Sequence, residues 1–256
     1  MNTEQTCYLF LDFDGTVFLN GSIPRENREA LSAVQRMGHQ VILNTGRSRG
    51  SLNFTTREYQ GVKWDGMIFG MSDMNYRGVR YHDYALSEPE VLFWVRRSMD
   101  MHCWIALGGE TERKEFLFDR HPEPFGPEET ETVLTGVREW MTTATVTKLS
   151  LQRVEDEDAC RAGVNVLRME EYSEVMPEGR DKGAAFLDFC GTWGISPEQC
   201  ICFGDSLNDL AVFTACPNSV AMRQSPPELR RYASYTASGE FGVAEGIEHF
   251  FGKICS

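Results

Sequence analysis

Five apolar residues, Cys7-Tyr8-Leu9-Phe10-Leu11, run unbroken and stop against Asp12-Phe13-Asp14-Gly15-Thr16. An apolar run of that length predicts a strand buried on both faces, as in a parallel sheet covered by helices. The carboxyl edge of such a sheet is where open α/β folds bind their ligands. The paired carboxylates therefore stand where chemistry is done. If the chain is still extended there, positions two apart point the same way and both carboxylates face one site. Gly15 frees the turn that follows. The plainer reading of the same residues is an ordinary Asp-Gly turn with Asp12 as a cap.

The pattern recurs along the chain. From Pro24 to Met37 the apolar residues Ala30, Leu31, Val34 and Met37 fall at helical spacing, with Pro24 suited to the first turn and Gly38 to the end. Val41-Ile42-Leu43 reads as a second strand ending at Asn44-Thr45-Gly46, and Gly66-Met67-Ile68-Phe69 as a third. Residues 83–178 change character. Helices are expected over Glu88–Met101 and Pro127–Met141, and strands over Cys103–Leu107, Glu115–Phe118, Ala144–Leu151, Gly163–Leu167 and Tyr172–Met176. After Arg180 the first pattern returns: helix at Asp181–Cys190, strand at Cys200–Phe203, helix at Leu207–Ala215, strand at Asn218–Ala221 and a last helix at Phe241–Phe251. The expected fold is α/β. A parallel-sheet core with helices on both faces is formed by 1–82 and 179–256, and an α+β domain is inserted at 83–178.

The composition limits the partners. The 256 residues carry a net charge of −13. Residues 83–178 hold 10 Lys and Arg against 21 Asp and Glu, a net of −11. That balance argues against nucleic acid, which requires a basic footprint. The longest apolar runs are about five residues, far short of the roughly 18 needed to span a bilayer, so no membrane partner is expected. The start of the chain lacks a basic region followed by an apolar stretch, and no signal peptide is expected. Eight cysteines without a Cys-x-x-Cys pair predict reduced, mostly buried thiols in a cytoplasmic protein. The five histidines are scattered and no chemistry is assigned to them.

A second acidic cluster, Gly204-Asp205-Ser206-Leu207-Asn208-Asp209, follows the strand at Cys200–Phe203. Ser206 with Asp209 three residues on also reads as a capping box. Carboxylates gathered at two strand ends repel one another, and a hard divalent cation relieves this. Mg²⁺ favours a few carboxylates, waters and substrate phosphate, and Asp205 is its natural ligand here. Thr45 is placed to donate to a phosphate oxygen, Gly46 to turn the chain, and Arg47 to offer a charged fork. Lys182 opens a helix, where the dipole disfavours a cation, so an anionic partner is expected for it. Arg113 and Lys114 are paired cations within the acidic insertion, read either as a solvated hairpin loop or as contacts to a substrate anion.

Taken in order, Asp12-x-Asp14-Gly15-Thr16, Thr45, Lys182 and Gly204-Asp205-x-x-Asn208-Asp209 resemble the four motifs of the haloacid dehalogenase-like phosphatase superfamily. The likeness covers the whole chain, and the insertion resembles the large cap of the Cof-type (subclass IIB) sugar-phosphatase branch on a Rossmann-like core. The resemblance implies a Mg²⁺-dependent phosphatase acting on a small phosphorylated metabolite, with Asp12 as nucleophile, Asp14 as acid and then base, and Thr45 and Lys182 on the phosphoryl oxygens. It implies Mg²⁺ held by Asp12, the backbone carbonyl of Asp14, and Asp205, with Asp209 at or behind the metal. Asn208 would orient the phosphate or Lys182. It also implies that the cap sets the substrate. A phosphomutase of the same superfamily and a non-catalytic Mg²⁺- or phosphate-binding module are the rival readings. One departure is that Phe69-Gly70-Met71-Ser72-Asp73 stands where many Cof-type relatives carry an Asn-Gly pair.

Overall fold

The computed structural model describes residues 5–53, 61–82, 84–110, 112–169 and 171–252. In chain order the elements are β1 (Tyr8–Leu11), α1 (Arg25–Arg36), β2 (Gln40–Thr45), α2 (Arg49–Asn53), β3 (Gly66–Phe69), β4 (Asp73–Tyr76) and β5 (Val79–His82). There follow α3 (Glu88–Asp100), β6 (Trp104–Gly109), β7 (Arg113–Leu117), α4 (Pro127–Met141), β8 (Val146–Leu151), α5 (Asp156–Ala159), β9 (Val164–Arg168) and β10 (Ser173–Pro177). The chain ends with α6 (Lys182–Trp193), β11 (Cys200–Gly204), α7 (Leu210–Ala215), β12 (Ser219–Ala221), α8 (Pro227–Arg230), β13 (Tyr235–Thr236) and α9 (Gly242–Phe251). They form two compact units. One takes in Met1–Gly46, Thr55–Tyr81 and Asp181–Ser256, the other Arg47–Phe54 and His82–Arg180.

The first unit is built on an eight-stranded sheet in the order β13-β12-β11-β1-β2-β3-β4-β5. β1 lies in the middle, parallel to β11 on one side and β2 on the other. β1 is buried from Leu9 to Leu11, as its unbroken apolar run requires. Phe10 points to one face, where its ring meets Phe186 and Phe189 of α6 edge-on at 4.9 and 5.3 Å. Leu11 is paired with Phe203 and so shares the opposite face. There Phe203 and Val220 press against Gly246 of α9. Helices therefore cover both faces. α9 is also tied to α1 by the Ala244 N–H, which donates to the buried Asn27 Oδ1 at 3.2 Å.

The sheet is mixed rather than wholly parallel. β4 runs antiparallel to β3, and neither β4 nor β5 was expected from the sequence. The turn between β3 and β4 is where the Asn-Gly pair is missing. Gly70 and Met71 both have positive φ, 52° and 65°, and the Ser72 N–H donates to the Phe69 carbonyl at 3.2 Å. That is the geometry of a type I′ hairpin turn, built without Asn-Gly.

In the second unit five antiparallel strands are ordered β7-β6-β8-β10-β9. One face packs Ile105, Leu107, Leu149, Leu151 and Val175 with Val91, Trp94, Val95, Leu134 and Val137 of α3 and α4. Seven cysteines are free among the described residues, all buried except Cys160; Cys255 lies outside them. Among the described residues no helix is long and apolar enough to cross a membrane.

Glu245 pins the segment before α9. Its carboxylate accepts from the Tyr235 hydroxyl at 2.6 Å, the Ser238 N–H at 2.9 Å and the Gly239 N–H at 2.7 Å. Burial pushes its pKa up, but the donors from Tyr235, Ser238 and Gly239 outweigh it and hold it at about 2. A depressed carboxylate stabilises the fold above its unfolded pKa and loses that contribution as pH falls toward the folded value. We expect Glu245→Gln to cost about 1 kcal/mol at pH 7, a modest figure because the side chain is only partly buried. The deficit should shrink as pH falls from about 5 to 2. Melting curves of both proteins across that range check this, and a pH-independent gap would refute it.

Candidate active site

β1 and β11 are adjacent and parallel, so the residues that follow them meet at one edge. Asp12 follows β1 and is 7% exposed, and its N–H donates to the Phe203 carbonyl at 3.0 Å. Asp205 and Asp209 follow β11. Carboxylate oxygens of Asp12, Asp205 and Asp209 lie within 4.8 Å of one another.

The fourth member arrives from α6. Lys182 is completely buried, and its Nζ donates to Asp12 Oδ1 at 2.5 Å and to Asp209 Oδ1 at 2.7 Å. These are the anionic partners that its position at a helix start called for. The helix is capped by Asp181, whose side chain accepts from the Ala184 N–H at 2.8 Å. Lys182 lies four and seven residues before Phe186 and Phe189, so it extends the stripe of α6 that faces β1. Two aromatic rings dock the helix, and the same stripe carries the ammonium to the acidic edge.

Asp209 uses both oxygens. Oδ2 accepts the N–H groups of Asp205 at 3.0 Å and Ser206 at 3.2 Å, while Oδ1 serves Lys182. The capping reading of Asp209 is thus borne out through Oδ2, and its other oxygen remains free to meet Lys182. Asp205 Oδ1 accepts from the buried Thr16 hydroxyl at 3.2 Å. The loop after β12 adds Gln224, whose amide donates to the Gly15 carbonyl at 2.6 Å. Neither bond has a sequence signal, because Thr16 and Asp205 are separated by 189 positions and Gln224 and Gly15 by 209.

Two glycines make room for the carboxylates. A Cβ on Gly15, which also has φ 77°, would collide with the Asp205 carboxylate. A Cβ on Gly204 would meet the carboxyl and Cβ of Asp209.

Three carboxylates face one ammonium. At 4.8 Å and an effective dielectric near 20, each ionised pair repels by about 3 kcal/mol. Burial raises the Asp12 pKa well above the usual range; Lys182 opposes this, and Asp209 and Asp205 add to it. Burial and then Asp209 push Asp205 up to about 6. For Lys182, burial pulls down, but Asp12 and Asp209 together leave it raised. A buried, oxygen-only donor set short of positive charge fits a hard divalent cation such as Mg²⁺.

Other expected site residues are placed as follows. The chain does not stay extended past Asp12. It turns at once, with the Phe18 N–H on the Phe13 carbonyl at 2.9 Å, which leaves Asp14 exposed while Asp12 is buried. The Asp14 side chain is not part of the carboxylate group that could hold a metal. Thr45 ends β2, the strand beside β1, and is 1% exposed; Gly46 is buried too. Arg47 is half-buried and falls in the second unit. Asn208 Oδ1 accepts from the Ser206 hydroxyl at 2.8 Å, and Lys182 is oriented by Asp12 and Asp209 instead. Arg113 and Lys114 do not act as a pair. They are consecutive on β7 and so point to opposite faces. Arg113 pairs with Glu115 at 3.1 Å. Lys114 donates to the Gly136 carbonyl at 3.3 Å and stands 5.7 Å from the ring centroids of Phe116 and Trp140, which is a structural role in the helix-packed layer.

Comparison with known proteins agrees with this geometry. Residues 9–71 and 129–247 match the model of the haloacid dehalogenase-like hydrolase family. The chain belongs to that family of hydrolases, in keeping with a phosphoric monoester hydrolase. It is 24% identical over 259 residues to the 5-amino-6-(5-phospho-D-ribitylamino)uracil phosphatase YcsE of Bacillus subtilis, covering 94% of each chain. It is 26% identical over 249 residues to a phosphoglycolate phosphatase of Nitrosopumilus maritimus, covering 93% of each. Among solved structures, a haloacid dehalogenase-like hydrolase from Bacteroides thetaiotaomicron superposes with a TM-score of 0.77 at 22% identity, over 96% of this chain and 100% of that one. A subclass IIB sugar phosphatase superposes at 0.75 and 19% identity, over 96% and 99%. At these identities the superpositions establish the fold.

The crowding at Gly204 yields a test. We expect Gly204→Ala to push Asp209 off Lys182 and off the two N–H groups it accepts. The cost should be about 1–3 kcal/mol, the range for overpacking a tight site. We expect MgCl₂ to raise the melting temperature of the parent protein and the variant to lose that rise. Scanning calorimetry with and without the salt reads both effects. An unchanged Mg²⁺ response would refute the steric account.

Proposed function

We propose that this protein is a Cof-type, Mg²⁺-dependent phosphatase that hydrolyses a small phosphate monoester, a sugar phosphate in the first instance, through an aspartyl-phosphate on Asp12. The gathering of Asp12, Asp205 and Asp209, two of them bonded to a wholly buried Lys182, carries this reading. Mg²⁺ would be held by Asp12, the Asp14 carbonyl and Asp205. Asp209, with both oxygens occupied, would stand behind it. When bound, such a cation neutralises charge on the transferring phosphoryl group.

The chain's own residues supply the rest. An Asp12 carboxylate oxygen attacks phosphorus, the ester P–O bond breaks, and the electron pair leaves with the alcohol oxygen. Asp14, exposed and just past the turn, gives that oxygen a proton. Asp14 then takes a proton from the water that attacks phosphorus, the bond to Asp12 breaks, and inorganic phosphate leaves. Splitting one hard displacement into two suits a very slow reaction. Lys182 holds Asp12 in one orientation and keeps positive charge beside the phosphoryl oxygens. Thr45, Gly46, Arg47 and Asn208 are read as substrate contacts, and the insertion at 83–178 as the part that selects the substrate.

Both relatives named above act on small phosphate monoesters by their descriptions, which supports a metabolite rather than a polymer. The net charge of −13 also disfavours a polyanion. The free cysteines favour a reducing, cytoplasmic setting.

We expect Asp12→Asn to lower kcat on p-nitrophenyl phosphate by about 10³-fold or more while the fold survives, since the side chains are nearly isosteric. Exhaustive chelation should abolish turnover, and added Mg²⁺ should restore it. Residual activity within about tenfold of the parent would remove Asp12 as nucleophile.

A further inference from the structure

The turn that carries Asp14 is held by a loop far from it in the chain. Asp14 precedes Gly15, a residue type with the widest choice of backbone conformation, here at φ 77°. Two rigid peptide planes meet at Gly15, and their directions set where Asp14 points. The plane before Gly15 is fixed by its N–H, which donates to the Phe18 carbonyl at 3.1 Å. The plane after it is held less firmly within the turn, since the Thr16 N–H reaches the Phe13 carbonyl at 3.4 Å. The other side of that plane, the Gly15 carbonyl, accepts from the Gln224 amide at 2.6 Å. Gln224 thus secures the half of the glycine pivot that the turn itself holds loosely.

The loop that presents Gln224 is stiff. Met222 is buried, and its N–H donates to the Gly204 carbonyl at 3.1 Å, prolonging the pairing of β12 with β11. The Ser225 N–H closes a turn on the Met222 carbonyl at 3.0 Å, and the Arg230 guanidinium donates to the Arg223 carbonyl. Pro226 then leads into α8. Gln224 itself is exposed. A hydrogen bond made in contact with water replaces one to water and adds little to stability. Folding therefore gives no strong reason for this bond, whereas restraint of the turn does.

We propose that Gln224 is a positioning residue, which locks the Gly15 peptide and so holds the Asp14 carboxyl within reach of the departing oxygen. This rests on the acid–base role given to Asp14 above. A general acid must stand within hydrogen-bond reach of the atom it protonates. A displacement of about 1 Å costs on the order of 10²-fold in rate. Gln224 acts only through Asp14 and takes no part in bond making.

The test uses p-nitrophenyl phosphate and phenyl phosphate, which are similar in size. Phenol is a much weaker acid than p-nitrophenol, so its oxygen needs the proton far more. The parent is compared with Gln224→Met, Gln224→Ala, Asp14→Asn and the double variant Gln224→Met with Asp14→Asn, all at saturating Mg²⁺. Gln224→Met keeps the length of the side chain and loses the donor. In both single Gln224 variants, kcat on phenyl phosphate should fall about tenfold or more with KM little changed, while p-nitrophenyl phosphate stays within about threefold. Added to Asp14→Asn, Gln224→Met should cost less than about twofold further, because residues that act as one unit are not additive. In the Mg²⁺-free protein, amide hydrogen exchange over residues 13–18 should quicken in both variants, with the melting temperature within about 2 °C of the parent. Equal losses on the two esters, additive losses in the double variant, a loss in Gln224→Ala that Gln224→Met does not share, or unchanged exchange would each overturn the role of Gln224. A parent that hydrolyses neither ester would overturn the phosphatase reading itself, and the positioning role with it.

Discussion

The ammonium of Lys182, sealed from solvent between Asp12 and Asp209, is the interaction on which the rest of the first unit turns. It joins three segments that are far apart in the chain: the end of β1, the start of α6 and the loop after β11. A buried ammonium must be paired, and a buried carboxylate must be too, so each enforces the position of the others. Removing the lysine would leave three carboxylates crowded within 4.8 Å without a protein cation. The site thus stores repulsion as part of its design. The surrounding structure offsets it through the aromatic docking of α6 on Phe10 and the N–H groups that hold Asp209. Such a centre gives up stability for function, a common bargain in enzymes.

This arrangement also explains how an insertion of about a hundred residues is accommodated between β5 and α6. Loop closure costs grow only with the logarithm of length. What must be preserved is the register of β1 between β2 and β11, and the seating of α6. Both are fixed inside the first unit by Phe10, Phe186 and Phe189. The insertion has a separate core of its own, with Trp94 and Leu107 at its heart, so its folding does not draw on those contacts.

The legible parts of this chain were those in which local pattern and position coincide. β1, β3 and β11 announced themselves because strands buried on both faces leave no polar residue to interrupt them. Asp12 and Asp205 followed, since a carboxylate just past such a strand has few structural reasons to be there. Lys182 was visible as an electrostatic misfit at a helix start. What escaped depended on contacts between distant residues. Thr16 reads as a turn residue until Asp205 is beside it. β4 and β5 alternate polar and apolar residues over only four positions each, Asp73-Met74-Asn75-Tyr76 and Val79-Arg80-Tyr81-His82, too short a run to stand out, and the turn between β3 and β4 places Met71 at a positive φ, which favours Asn or Gly. Lys114 showed its charge but not its face, and its ammonium turned out to lie against Phe116 and Trp140.

Asp12 and Asp14 show how one residue type can be set in two environments. They are two positions apart, yet the turn at Phe13 buries one and exposes the other. Asp12 is stripped of water and clamped by an ammonium, whereas Asp14 is open to solvent. Environments that separate two carboxylates are the usual origin of paired acid–base and nucleophilic roles. Here the separation comes from a backbone turn that needs Gly15, whose missing side chain leaves space for Asp205. The same glycine therefore sets the exposure of Asp14 and the approach of a third carboxylate. A larger residue there would disturb the setting of Asp14 and the carboxylate of Asp205 together.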